Sequence, residues 1–200
     1  MKDMDQLKEL FITKATALGQ EVKELLKEHG DLQIDTVDLN QAFGGMRGIK
    51  AMVWEPSALD PQEGIRFRGY SIPELSKLLP TAEGDDEPLP EGLFWLMLVG
   101  DIPTAEQVRW LTDQWTRRSN VPAYVFKTLD ALPLDAHPMT QLSTAIMAMQ
   151  QTSVFARRYA EGMNRSEYWD ATYEDTMNLI ARLPRVAAYI YRRTYFNGDH

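Results

Sequence analysis

A long succession of helical patterns is the feature that most constrains how this chain can fold. From residue 71 to residue 195, apolar side chains recur every three or four residues, the repeat of helices that bury one face. Ser71 stands three residues before Glu74, and Thr104 stands three before Gln107, which is the spacing of a helix-capping box. Prolines open three further patterns, at positions 90, 122 and 138, and Pro184 predicts a break or kink at Leu183. The fold class is therefore predicted to be mainly α.

The first 70 residues are predicted to combine one helix with a small β-element. An amphipathic pattern over residues 4–28 ends at His29-Gly30, where the glycine is expected to take a left-handed conformation. Short β-prone runs at 32–39, 49–54 and 65–68 flank a glycine-rich stretch, and they predict an antiparallel β-element near residues 32–68. We expect one multi-helical segment, with an N-terminal helix at 1–30, the β-element and loops at 31–70, and a helical core at 71–200.

Composition excludes several classes of function. The 21 Lys and Arg against 29 Asp and Glu give a net charge of −8, which disfavours binding to nucleic acid. The absence of cysteine excludes disulfides, thiolate metal sites and a cysteine nucleophile. No apolar run approaches the roughly 18–20 residues of a membrane span. The start of the chain mixes basic and acidic residues, unlike a signal or transit peptide, so we expect a cytoplasmic protein of bacterial type.

Histidines and paired carboxylates are the first candidates for catalysis, and neither is well placed. His29 lies at a helix end and His200 is the last residue, while His137 precedes a helix start, where capping competes with a catalytic role. The acidic run at 85–87 falls in a predicted loop, and Asp170 and Glu174 are expected on an exposed helix face. The spacing of these residues predicts no metal site.

Arginines are the better candidates for binding an anion. They form two groups that could hold a phosphorylated ligand, the first comprising Arg47, Arg66 and Arg68 and the second comprising Arg157, Arg158 and Arg165. Arg47 stands in the glycine-rich stretch 44–48, whose backbone amides could also face a phosphate. A simple glycine-rich turn and ordinary surface ion pairs remain the alternatives.

Several ordered segments resemble the citrate synthase family. They are Gly-Gly-Met-Arg-Gly-Ile-Lys at 44–50, Leu-Asp-Pro-Gln-Glu-Gly-Ile-Arg-Phe-Arg-Gly-Tyr-Ser-Ile-Pro-Glu-Leu at 59–75, Glu-Pro-Leu-Pro-Glu-Gly-Leu-Phe-Trp-Leu at 87–96, Gly-Asp-Ile-Pro-Thr at 100–104, His-Pro-Met at 137–139, Phe-Ala-Arg-Arg-Tyr-Ala-Glu-Gly at 155–162 and Tyr-Trp at 168–169. The resemblance is to the eukaryotic-type branch and covers the N-terminal part of the large domain only.

The resemblance implies a function and assigns two residues to it. Citrate synthases are helical homodimers, acyltransferases of the tricarboxylic acid cycle that condense oxaloacetate with acetyl-CoA and water to give citrate and CoA. They need no cofactor, since acetyl-CoA is a substrate. The family's catalytic residues lie C-terminal to the matched region, so none is assigned here and this chain alone is expected to be inactive. Arg47 and Arg165 match arginines that contact the phosphates of CoA.

Two alternatives to that function stay open. The first is a segment of a 2-methylcitrate synthase, in which propionyl-CoA replaces acetyl-CoA. The second is a stand-alone, non-catalytic helical module for dimerisation or binding.

Overall fold

The computed structural model describes residues 5–50 and 52–196 and divides the chain into two compact units, Met1–Val108 and Arg109–His200. The described residues form nine α-helices and three strands: α1 Gln6–His29, α2 Leu39–Phe43, β1 Ser57–Asp60, β2 Gly64–Phe67, β3 Tyr70–Ser71, α3 Ile72–Leu78, α4 Pro90–Val99, α5 Ala105–Arg118, α6 Ala123–Asp130, α7 Pro138–Met149, α8 Val154–Ala160 and α9 Tyr168–Tyr195. Short 3₁₀ turns cover Gln150–Thr152 and Arg165–Glu167. The predicted mainly α class with a small antiparallel sheet is confirmed, while the predicted division at residues 30 and 70 stays a prediction.

The core of the first unit forms around α3 and α4. Leu75, Leu79 and Leu96 are buried together, with Phe67 of strand β2 packed against them. Helix α4 is apolar on all sides, and none of its residues from 91 to 99 is exposed, as predicted. Gly100 ends it with φ of 83°, in the left-handed region that glycine adopts without strain. The β-element is thereby attached to a buried helix.

The N-terminal helix α1 contacts α4 near its start and leaves most of its length exposed. Leu7 is fully buried, and Lys14 forms an ion pair with Asp101 just beyond α4. Its last turn ends at Gly30, for which we predicted a left-handed conformation; that prediction is wrong, because φ is −60°. Glycine is needed there for space, since a Cβ would collide with the carbonyl oxygen of Leu26.

The β-element lies later in the chain than two of the three predicted runs. Strands β1, β2 and β3 form an antiparallel sheet in that order, with Ala58 opposite Arg66 and Phe67 opposite Tyr70. Of the predicted strands only the run at 65–68 falls largely within the sheet. The predictions for 32–39 and 49–54 are wrong, because the described residues of those segments form no strand.

Local hydrogen bonds explain the displacement of the sheet. Asp38 and Gln41 form a capping box: the side chain of Asp38 accepts from the N–H of Gln41 at 2.8 Å, and the side chain of Gln41 accepts from the N–H of Asp38 at 3.0 Å. This box starts α2 at the end of the segment in which a strand was expected. The turn that pairs β1 with β2 is built by Asp60, whose carboxylate accepts hydrogen bonds of 2.8 Å from the N–H groups of Gln62 and Glu63. Apolar alternation indicates neither arrangement.

The second unit has its own core, formed by α6, α7 and α9. Its buried members are Val121, Val125, Leu129, Ala145, Met149, Val186 and Ile190. Helix α9 runs unbroken through Pro184, so the predicted break does not occur. A proline inside a helix costs about 3 kcal/mol, and the burial of Ala181 and Val186 on either side offsets that cost. None of the described helices is both long and apolar enough to cross a membrane.

A tyrosine hydrogen bond links α9 to the end of α6 and predicts a pH dependence. The hydroxyl of Tyr189 donates to Asp130 at 2.6 Å, and burial, followed by this hydrogen bond, raises the pKa of Tyr189 from 10.0 to about 12. Because the folded-state pKa is the higher one, the stabilisation is complete below about pH 10 and is lost as the pH rises through about 12. We expect the melting temperature of the unmodified chain to fall more steeply between about pH 10 and pH 12 than that of the Tyr189→Phe variant. Equal slopes for both proteins would contradict the assignment.

Candidate functional site

Arg47 projects from a glycine turn that follows α2. The turn is held by the N–H of Met46, which donates to the carbonyl of Gln41 at 2.7 Å, and left-handed φ angles of 79° at Gly45 and 72° at Gly48 bend the backbone. The Arg47 side chain is exposed and has no hydrogen bond or ion pair with any other described residue. Its guanidinium group is therefore free to meet an anion.

Arg66 and Arg68 are not free cations, because each is held by other groups, as in the alternative of ordinary ion pairs. Arg66, in β2, forms an ion pair with Glu63 and donates to the carbonyl of Gly69 at 2.8 Å. The hydrogen bond from Arg66 is the main cause that lowers the pKa of Glu63. Arg66 is thus committed to contacts within the sheet.

Arg68 ties the sheet to α4. It lies just past the end of β2 with φ of 49°, and its guanidinium donates to the carbonyl of Met97 at 3.1 and 2.8 Å. It also lies 3.4 Å from Glu55. Because β2 ends at Phe67, the rule that residues two apart in a strand lie on the same face does not apply to Arg66 and Arg68.

Arg165 lies in the second unit, in the 3₁₀ turn between α8 and α9. A capping box starts the turn: the side chain of Asn164 accepts from the N–H of Ser166 at 3.2 Å, and the carboxylate of Glu167 accepts from the N–H of Asn164 at 3.2 Å. Like that of Arg47, the side chain of Arg165 is exposed and forms no hydrogen bond or ion pair within the described parts of the chain. A fixed backbone thus carries a free guanidinium group.

The other arginines near this turn differ in their contacts. Arg157 is exposed on α8, whereas Arg158 donates to Asp170 at 2.6 Å and lies 3.6 Å from Glu167. The hydrogen bond with Asp170 is the main cause that raises the pKa of Arg158. The three arginines of the predicted second group therefore do not act as one cluster, because Arg158 is neutralised by nearby acids.

The prediction that Asp170 and Glu174 lie on an exposed helix face is wrong. Both acids form half-buried ion pairs. Asp170 accepts from Arg158, and Glu174 accepts from Arg118 at 2.7 Å. Helical spacing cannot reveal these partners, since they lie 12 and 56 residues away in the sequence.

The histidine nearest to a helix start acts as a cap. His137 precedes α7, and its Nδ1 accepts from the N–H of Met139 at 3.2 Å, so capping is confirmed. His29 is exposed in the last turn of α1, and His200 lies outside the described residues. Within residues 5–50 and 52–196, no group of three histidines or acids could hold a metal ion.

Sequence reasoning missed one residue that fixes the start of α8. The carboxylate of Asp175 on α9 accepts from the N–H groups of Val154 and Phe155 at 2.7 and 3.0 Å and from the hydroxyl of Ser153 at 2.6 Å. An acid at a helix start is stabilised by free N–H groups and the helix dipole. Asp175 therefore fixes the first turn of α8, and no local sequence signal indicates it.

Comparison with known proteins identifies the family of this chain. Residues 45–199 match the model of the family described as "Citrate synthase, C-terminal domain". The chain is 52% identical to the mitochondrial citrate synthase of Aspergillus niger, over 96% of its own length and 40% of that protein. It is also 52% identical to the mitochondrial citrate synthase of Daucus carota, over 97% of its length and 40% of that protein.

A solved structure shares the fold. It is the citrate synthase of the thermophilic archaeon Thermoplasma acidophilum in a ternary complex with carboxymethyl coenzyme A and oxaloacetate. It matches with a TM-score of 0.58 and 18% identity, over 80% of this chain and 37% of that one. The helical architecture is thus that of a citrate synthase, and the family match covers most of the sequence. The chain belongs to the citrate synthase family, and it spans about 40% of the length of the curated relatives it matches.

The predicted bacterial-type cytoplasmic location is wrong. The fungal and plant relatives at about half identity are mitochondrial citrate synthases. The prediction relied on the mixture of charges at the start of the chain. Those residues do not determine the location of the protein, because the chain spans only 40% of the length of a relative such as that of Aspergillus niger.

Proposed function

We propose that this chain is the N-terminal part of the large domain of a citrate synthase that condenses oxaloacetate with acetyl-CoA. The observation that carries the proposal is the 52% identity to mitochondrial citrate synthases over 96% of the chain. The fold of the archaeal enzyme solved with a CoA analogue and oxaloacetate supports it. No metal or redox cofactor is part of the proposed chemistry, since acetyl-CoA enters as a substrate.

Within that enzyme, Arg47 and Arg165 bind phosphate groups of CoA. Each is exposed, lies in a turn fixed by backbone and side-chain hydrogen bonds, and has no partner elsewhere in the described residues. A guanidinium group presents two parallel N–H donors that match two oxygens of a phosphate. The residues that move protons during the reaction belong to the remainder of the enzyme.

Removing either guanidinium is expected to weaken acetyl-CoA binding. In the full-length enzyme, Arg47→Gln and Arg165→Gln should each raise KM for acetyl-CoA by about 10- to 100-fold, the equivalent of one charge-assisted hydrogen-bonding contact. KM for oxaloacetate should stay unchanged, as measured by steady-state thiol release. Arg157→Gln is the matched control, because Arg157 is exposed on α8 and has no assigned contact with CoA. Equal effects of all three variants would contradict the assignment.

The reaction itself is tested with two acyl donors. Full-length enzyme is incubated with oxaloacetate and either acetyl-CoA or propionyl-CoA, and the products are identified by mass spectrometry. We expect citrate from acetyl-CoA with the higher kcat/KM. A preference for propionyl-CoA would favour a 2-methylcitrate synthase, and no condensation with either donor would favour a non-catalytic helical module.

We also infer that the enzyme is a homodimer located in mitochondria. An apolar groove between α7 and α9 supports dimerisation, because Met139, Tyr191 and Tyr195 along it are 60%, 57% and 67% exposed. The names of the fungal and plant relatives support the location.

A further inference from the structure

Two carboxylates lie beside the turn that carries Arg165. Glu167 is in the same 3₁₀ turn, and Asp170 is in the first turn of α9. Left unpaired, either could form an ion pair with Arg165 itself and so compete with a phosphate for its guanidinium group. The structure pairs them with a different cation: Arg158 of α8 donates to Asp170 at 2.6 Å and lies 3.6 Å from Glu167.

The same contacts hold the backbone on both sides of Arg165. One oxygen of Glu167 accepts from the N–H of Asn164 at 3.2 Å while the other faces Arg158, so this acid joins the turn to α8. The carbonyl of Arg158 accepts from the N–H of Met163 at 2.9 Å. Arg158 therefore contacts the chain before and after Arg165 without contacting Arg165.

Aromatic packing supports this arrangement. The ring centroid of Phe155 lies 6.0 Å from that of Tyr159 and 5.1 Å from that of Tyr168, which brings the start of α9 against α8. Gly162 completes the connection with φ of 89°. The backbone of the turn is held by packing as well as by charge, so loss of the Arg158 ion pairs should change the electrostatics more than the fold.

We propose that Arg158 is a positioning residue for CoA binding: it neutralises Glu167 and Asp170 and so leaves the guanidinium of Arg165 free for a phosphate. The proposal rests on the proposed function, in which Arg165 contacts CoA. Arg158 acts through Arg165 and has no contact with the ligand.

The test is a set of variants of the full-length enzyme, with KM for acetyl-CoA, KM for oxaloacetate and kcat measured for each. Arg158→Gln should raise KM for acetyl-CoA roughly three- to tenfold, a size typical of the coupling between neighbouring charged groups, and leave KM for oxaloacetate and kcat unchanged. Arg158→Lys, which keeps the charge, should have a smaller effect. Adding Asp170→Asn to Arg158→Gln should recover part of the loss, because this carboxylate can then no longer compete for Arg165.

A second background and a control separate positioning from a general structural role. In an Arg165→Gln background, Arg158→Gln should add nothing. Arg118→Gln removes a comparable ion pair, with Glu174 at 2.7 Å in the same unit, and should leave KM for acetyl-CoA unchanged.

Three results would overturn the proposal. An equal effect of Arg158→Gln in both backgrounds, or a further loss on adding Asp170→Asn, would show that Arg158 does not act through Arg165. If Arg165→Gln raises KM and Arg158→Gln does not, the positioning role alone fails. If Arg165→Gln has no effect on KM for acetyl-CoA, both the assigned contact between Arg165 and CoA and the positioning role of Arg158 are wrong.

Discussion

The 200-residue chain alone should release no CoA from acetyl-CoA and oxaloacetate above a protein-free control. Condensation requires a base to remove a proton from the acetyl methyl group and an acid to stabilise the enolate that forms. A positioned acid or base typically contributes about 10²–10⁴-fold, so loss of both removes all measurable turnover. The measurement is thiol release at saturating concentrations of both substrates.

The described residues do not offer replacements for the missing groups. The Nδ1 of His137 caps α7, Asp170 and Glu174 are paired with arginines, and Asp175 caps α8. The full-length enzyme, assayed at the same molar concentration, is the positive control. Citrate formed by the chain alone would show that the assignment of catalysis to the rest of the enzyme is incorrect.

Arg193→Ala is expected to lower the free energy of unfolding by about 2–4 kcal/mol, a large effect for a single substitution. Arg193 of α9 is only 3% exposed, and its guanidinium donates to the carbonyl groups of Leu132 and Pro133 and to the side chain of Gln141. Alanine would leave the buried side-chain oxygen of Gln141 and two part-buried carbonyl groups without their donor, and would open a cavity beside them. The carbonyl groups follow the end of α6, where the helix dipole also favours a cation.

The neighbouring arginine provides a matched control for this prediction. Arg192 is exposed, with its guanidinium 5.3 Å from the centre of the Phe196 ring, so Arg192→Ala should change the free energy of unfolding by no more than about 0.5 kcal/mol. Urea denaturation followed by circular dichroism measures both variants. Similar free energies of unfolding for the two would contradict the central role given to Arg193.

The features that the sequence predicted correctly depend on residues close together in the chain. Ser71 with Glu74, and Thr104 with Gln107, form their capping boxes because donor and acceptor are three positions apart. Helix α4 is buried all round because its own composition leaves no polar face. The helical class follows from such local signals added along the chain.

The features that could not be predicted depend on distant partners. Apolar runs at 32–39 and 49–54 suit a strand, yet a strand needs a neighbour, and the turn built by Asp60 pairs β1 with β2. Arg68 and Arg158 resemble free cations in the sequence, but each has an acceptor that only the fold brings near. Arg47 and Arg165 were singled out by resemblance, and the structure adds that both side chains are exposed and unpaired among the described residues.

The dissociation constant for CoA, measured by calorimetry on the full-length enzyme, tests most directly whether this chain supplies part of the CoA site. Replacing both Arg47 and Arg165 by glutamine is expected to weaken CoA binding by roughly 100-fold or more, as for the loss of two charge-assisted contacts, while the affinity for oxaloacetate is retained. A double variant that binds CoA as tightly as the unmodified enzyme would contradict the assignment of both arginines to that site.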